Sequence, residues 1–456
     1  MQADSRKIIS ENIVADRSKL KIICVFLHRI YFGRIPYERQ YRGKKRKAMN
    51  ITELQQSYAS HPNVEGVCRL LKDNSVRHLY CGGLYASAAS LFSSVLVQRA
   101  TCPLVFILGD MEEAGYFYHD LTQILGTEQV LFFPSSFRRA IKYGQKDAAN
   151  EILRTEVLSR LQKGEEGLCV VTYPDALAEK VVSRKELGEN TLKLHAGERV
   201  DMNFVTDVLR SYGFEYVDYV YEPGQYAVRG SIIDVFSFSS EYPFRIDFFG
   251  DEVESVRTFE VETQLSKEKK ESIVIVPDLS HSLEKKGSGG MVSFLDFLPS
   301  DSLLAMRDFL WLRERIQTVH DESLTPQAIA ARESEENGAI TLEGKLIDGG
   351  EFTLRALDFR RMEFGNKPTG TPDATVSFHT TVQPIFHKNF DMVAESFREY
   401  LSRHYTIYIC SDSLKQTDRI RAIFEDRGDN ISFTAVERTL HEGFADDTLR
   451  ICVFTD

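Results

Sequence analysis

The sequence has a single tryptophan, no two cysteines at C-x-x-C spacing, and no apolar run long enough to cross a membrane. Its seven cysteines stand far apart at Cys24, Cys68, Cys81, Cys102, Cys169, Cys410 and Cys452. An odd, dispersed set excludes both a disulfide framework and a structural zinc site, and a reducing cytoplasm is the expected compartment. The eleven histidines are just as scattered. His379 and His387 come nearest to a cluster, and no metal site is expected there. Ile22 to Phe32, IICVFLHRIYF, is too short and too interrupted by His28-Arg29 for a bilayer span, and no small-residue cleavage site follows it.

A surplus of positive charge is also missing, since the formal net charge is −11. The imbalance is uneven. Residues 1–48 carry 13 Lys/Arg against 4 Asp/Glu, and the remainder carries 43 against 63. An acidic globular part repels a phosphate backbone, which excludes a sequence-independent DNA clamp. The basic leader, with Gly43-Lys44-Lys45-Arg46-Lys47 at its end, is read as an upstream extension, because Met49-Asn50-Ile51-Thr52-Glu53-Leu54 looks like a natural start. What remains is 43% hydrophobic and 27% charged, the composition of a globular protein with room for about three domains.

From Met49 onward, apolar periodicity alternates between helix and strand. Helices are expected over Ile51 to Leu71, Ser87 to Arg99, Met111 to Leu125 and Asp147 to Leu161. Strands are expected at His78 to Cys81, Cys102 to Leu108, Val130 to Pro134 and Leu168 to Thr172. This rhythm predicts an α/β fold with a parallel sheet covered by helices, in a P-loop-type layout. The first strand-to-helix turn reads Gly83-Leu84-Tyr85-Ala86-Ser87-Ala88-Ala89-Ser90. Gly83 and Ser90 agree with G-x-x-x-x-G-K-[ST], but Ala88 replaces the second glycine and Ala89 the lysine. The cation for the β- and γ-phosphates is gone, so no nucleotide chemistry is expected, although the helix N-terminus is expected to keep donors for an anion.

The densest signal is Tyr221 to Ser266. Glu222-Pro223-Gly224 is a turn, and strands are expected through Tyr226–Arg229, Ile232–Phe236 and Tyr242–Phe249. Alternation places Arg245 and Asp247 on one face and Phe244, Ile246 and Phe248 on the other, with Phe249 outward. The arginines are read as solvent-facing, so that removing one costs the free chain little. Asp247, Asp251 and Glu252 form a carboxylate group on this hairpin, read as a solvated turn and not as acid–base machinery.

The runs R-G-S-I-I-D-V-F, P-F-R-I-D-F-F-G-D-E-V-E-S-V-R-T-F and T-Q-L-S closely resemble the UvrB interaction domain shared by the repair helicase subunit UvrB and the bacterial transcription-repair coupling factors. The resemblance implies docking on the damage-recognition ATPase UvrA, with Arg229, Arg245 and Phe249 at the contact. The altered phosphate loop, and the absence of a glycine- and tyrosine-rich hairpin between Ser90 and Leu187, favour the coupling-factor family. A UvrB-like ATP-dependent helicase subunit is the alternative. The resemblance covers about Met49 to Asp456.

It implies a degenerate P-loop-type domain over 49–190 and 275–372, a β-rich α+β UvrA-binding domain inserted at 191–274, and a small α/β sandwich over 374–456. Ile273 to Pro277 is expected to rejoin the first domain as an added strand. His441-Glu442-Gly443-Phe444 resembles a turn of the third domain. No cofactor is expected here. ATP and Mg2+, RNA polymerase and duplex DNA belong, by resemblance, to a full-length protein whose motor lies beyond Asp456.

Overall fold

The computed structural model describes residues 48–136, 148–278, 290–323, 344–387 and 389–455. The basic leader, including Ile22 to Phe32 and Gly43 to Lys47, lies outside the described residues. So do Tyr143, nearly all of the glycine-rich connector Glu284 to Gly290, and the acidic Ala330 to Gly338. Residues 48–456 form one compact unit. No helix among the described residues is long and apolar enough to cross a membrane.

The fold is α/β with parallel sheets. A seven-stranded sheet runs in the order Ala374–Ser377, His78–Gly82, Arg360–Glu363, Leu303–Met306, Leu104–Ile107, Cys169–Thr172, Val130–Phe133, with every pairing parallel. Its central strands (LVFI, CVVT, LLAM) are buried throughout and almost wholly apolar because helices cover both faces and leave no side to water. The Ser87–Arg99 helix and the Met111–Leu125 helix lie where periodicity placed them. Ile51 to Leu71 divides instead into Ile51–Ala59 and Pro62–Leu70. Pro62 supplies no N–H to continue the first helix, and the His61 ring caps the second by accepting from Asn63 N–H.

A β-rich region interrupts this sheet. Six strands, Ser266–Lys270, Glu252–Phe259, Phe244–Phe249, Ile232–Val235, Gln225–Arg229 and Glu215–Tyr216, form a second sheet in that order. The Met202–Ser211 helix lays Val205 and Leu209 on one face of it, against Tyr226, Ile233, Val235, Ile246 and Phe248. Ser272–Ile275 pairs antiparallel with Leu192–His195, so the expected added strand of the first sheet is instead half of a neck. Its apolar residues Ile273 and Ile275 belong to the core of the β-rich region, which draws the strand there and away from the larger sheet.

A third sheet comprises Met49–Asn50, Thr434–Glu437, Thr406–Ser411, Ile451–Thr455, Phe444–Asp446 and Thr380–Val382 in that order. Ala374–Ser377, expected to open this unit, pairs with His78–Gly82 in the seven-stranded sheet, and Met49–Asn50 joins the third sheet instead. The two sheets share a core in which Val436, Phe444 and Val453 pack with residues of the first. Asp446 is completely buried at this seam. Its Oδ2 accepts from the Tyr58 hydroxyl at 3.0 Å and lies 3.5 Å from His61 Nε2, while its Oδ1 accepts from the N–H groups of Thr448 and Leu449 at 2.9 and 3.0 Å. Burial pushes this carboxyl up, but the bonds from His61, Leu449 and Tyr58 outweigh it and hold the pKa below the ordinary value.

A depressed carboxyl stabilises the fold fully above the unfolded pKa and loses that contribution as pH falls through the folded one. Stability should therefore decline below about pH 4 partly through Asp446. Asp446→Asn should flatten that part of the acid limb in urea unfolding series. Asp446→Ala, which strands Tyr58 and two backbone donors, should cost about 3 kcal/mol at neutral pH. Parent and Asn variant with parallel acid limbs would show that Asp446 does not carry the effect.

Candidate functional site

Two places were singled out by sequence, and they lie on different sheets. At the altered phosphate loop, Gly83 has φ +76°, and a Cβ there would meet the Phe378 carbonyl oxygen at 2.1 Å. This glycine is thus required by a close backbone approach. Thr380 fastens the loop from the other side, its hydroxyl donating to Gly83 O at 2.7 Å and accepting from Tyr85 N–H at 2.9 Å. Ala88 and Ala89, in the first turn of the Ser87–Arg99 helix, are buried. Small side chains there let the helix lie close on the sheet.

The donors expected to remain for an anion are taken by the protein itself. Ser87 N–H donates to Glu442 O at 3.2 Å, and Ser87 Oγ accepts from Glu442 N–H at 3.0 Å. Ala88 and Ala89 N–H donate to Tyr85 O and Ala86 O. Where an anion would sit there is a carboxylate of the chain. Asp120, 2% exposed, accepts from Ser90 Oγ at 2.9 Å and from His441 N–H at 2.7 Å. Burial raises its pKa, partly offset by bonds from Ser87, His441 and Ser90. The His441 ring stacks on Tyr116 with centroids 3.5 Å apart. The turn His441-Glu442-Gly443 therefore closes over the loop, and the cleft beside it is lined by Asp110, Glu112, Glu113, Asp120 and Glu442 against Arg307 and His441. Such a lining repels a triphosphate.

The second place is the outer face of the six-stranded sheet. Asp234 lies opposite Arg245 across one pairing and opposite Ala227 across the other. Only 1% of its side chain is exposed, and it receives both arginines. Arg245 Nε and Nη2 bond Oδ1 and Oδ2, each at 2.8 Å, in a bidentate fork, and Arg229 bonds Oδ2. Arg245 Nη1 also donates to Gln264 O at 3.0 Å, and its guanidinium lies 4.5 Å from the Phe259 ring centroid. Arg229 lies under Tyr219 at 5.1 Å.

The expectation of free, solvent-facing arginines needs correction. Arg245 is 15% exposed and Arg229 35%, because a carboxylate buried on an outward-facing strand position draws both into contact. Phe248 is 4% exposed and Phe249 79%, on opposite faces. Asp247 is paired with Arg257, whereas Asp251 and Glu252 are exposed at the turn. Among the described residues no three His, Cys, Asp or Glu side chains converge as ion ligands, and the six described cysteines are free thiols.

Sequence reading passed over Asp234, Arg257 and Tyr219. Alternation in Ile232–Val235 was a sufficient signal for Asp234, since buried Ile233 and Val235 force it to the arginine face. Tyr219 lies in a non-strand segment that crosses the sheet, and no periodicity announces it.

Residues 192–281 match the family model of the UvrB interaction domain. The match covers the six-stranded sheet and the face that carries Arg229, Arg245 and Phe249. The chain is related to the transcription-repair-coupling factors. It is 29% identical to that of Escherichia coli K12 over 198 residues, which is 43% of this chain and 17% of the relative. The Bacillus subtilis 168 protein is 30% identical over 196 residues, 43% of this chain and 16% of the relative. The Staphylococcus aureus RF122 protein is 22% identical over 416 residues, covering 80% of this chain and 35% of the relative. The chain therefore spans well under half the length of these curated relatives.

Because Asp234 is buried, Arg245→Ala should destabilise the protein by about 3 kcal/mol, whereas Arg229→Ala should cost about 1 kcal/mol. Phe248→Ala should cost about 3–5 kcal/mol and Phe249→Ala no more than about 0.5 kcal/mol. Urea midpoints of the four variants test this ranking. Equal midpoints for Arg245→Ala and Arg229→Ala would show that the fork does not hold the sheet.

Proposed function

We propose that this chain is the protein-binding module of a transcription-repair coupling factor and that it recruits UvrA through the outer face of its six-stranded sheet. The observation that carries this reading is the arrangement of Arg229 and Arg245 on buried Asp234, with Phe249 standing 79% exposed beside them, inside the matched UvrB interaction domain. The shared carboxylate fixes both guanidinium groups before a partner arrives, so little side-chain entropy is lost on binding. Phe249 is the apolar anchor, and the arginines offer their outward donors to carboxylates of UvrA.

The seven-stranded sheet is, in this reading, a former phosphate-loop domain interrupted by the UvrA-binding insertion and followed by a small α/β domain. Its nucleotide site has become a socket for the His441-Glu442-Gly443 turn. ATP hydrolysis, movement on duplex DNA and displacement of RNA polymerase are assigned to the full-length relative, not to this chain, and the setting is the bacterial cytoplasm. A UvrB-like helicase subunit needs free phosphate donors at Ser87 to Ser90, and the bonds to Glu442 and Asp120 weigh against it.

Two experiments bear on this. Phe249→Ala should weaken binding of purified UvrA by about 1–3 kcal/mol with melting unchanged. Parent-like affinity would remove this face from the interface. Titration of the chain with Mg-ATP should give no saturable binding in the micromolar range, and a micromolar dissociation constant would restore the helicase reading.

A further inference from the structure

Arg257 is a third arginine on the same face, directly opposite Arg245 on the neighbouring strand. Like charges so placed repel. The two guanidinium groups part, Arg245 turning to Asp234 and Arg257 to Asp247. Asp247 lies on the strand between Arg245 and Phe249, so Arg257 leans along the face toward the exposed ring. Its side chain is 38% exposed, and its bond to Asp247 uses only Nη2. Its Nε is buried without a hydrogen-bond partner. Among the paired side chains of this face, three guanidinium groups meet two carboxylates. That is a local cationic surplus on a chain of net charge −11.

Every guanidinium nitrogen of Arg245 already has one acceptor, on Asp234 or Gln264, whereas Arg257 is held through Nη2 alone. We propose that Arg257 is a further partner-contacting residue, which takes a carboxylate of UvrA between Arg245 and Phe249. Asp247 is its positioning residue and holds the guanidinium in place while competing with the partner's carboxylate for it. This rests on the UvrA-binding reading above. An acidic partner group entering here completes the charge balance of the face by bonding the exposed end of the Arg257 guanidinium, which Asp247 engages through Nη2 alone.

The two residues of the pair should act in opposite directions, which a purely architectural ion pair would not produce. In titrations of the whole chain with purified UvrA, Arg257→Ala should weaken binding about tenfold and Arg257→Lys by less, since the charge stays but the fork is lost. Asp247→Asn should tighten binding about threefold, because it removes the competitor. Phe249→Ala is the reference. If it weakens binding while Arg257→Ala and Asp247→Asn match the parent, the role of Arg257 is overturned and the reading of the face stands. Equal weakening by Asp247→Asn and Arg257→Ala also overturns it, since the pair then serves architecture alone. If Phe249→Ala matches the parent, the face itself is wrong and the inference falls with it.

Discussion

A carboxylate removed from water must find charge-assisted hydrogen bonds, and three such groups, Asp234, Asp120 and Asp446, organise this protein. Asp234 holds two arginines on the outer face of the six-stranded sheet. Asp120 draws the His441-Glu442-Gly443 turn onto the altered phosphate loop. Asp446 joins Tyr58 and His61 to the third sheet. Each is met by groups distant in sequence or on neighbouring strands, so each works as a register pin: one wrong pairing would leave a buried charge alone.

The same constraint links fold to function. At the phosphate loop, the positive end of the Ser87–Arg99 helix and its Ser87 N–H are met by the chain's own Asp120 carboxylate and Glu442 carbonyl. The loop is thereby fastened to the His441-Glu442-Gly443 turn. On the six-stranded sheet, the buried carboxylate fixes guanidinium groups that would otherwise sample many rotamers. Rigid arginines beside an exposed phenylalanine make a surface with little ordering left to do on binding.

Much of this was legible in the sequence. The Ser87–Arg99 and Met111–Leu125 helices followed from their apolar residues, and the structure adds the Asp110 cap, which accepts from Glu112 and Glu113 N–H. The inward Phe248 and outward Phe249 followed from strict alternation. Arg229, Arg245 and Phe249 were named from the motif, but their surroundings were misread. Solvent exposure of an arginine depends on whether a neighbouring strand presents a carboxylate, and cross-strand register is not a local property. For the same reason Ile273 to Pro277 was recognised as a strand but assigned to the first sheet, and Ala374 was taken as the start of the third unit although Ala374–Ser377 pairs in the first sheet.

By itself the sequence determined the α/β rhythm, the small residues Ala88 and Ala89 at the first strand-to-helix turn, and the alternating faces of the interaction domain, because each depends on residues within one or two turns of each other. Only the tertiary structure decided that Met49–Asn50 pairs with Thr434–Glu437, that Glu442 closes the altered loop, and that Asp234 and Asp247 divide three arginines between them. Those are contacts between segments whose spacing along the chain carries no period. They are selected by the cost of leaving a buried polar group unpaired, which no window of sequence reveals.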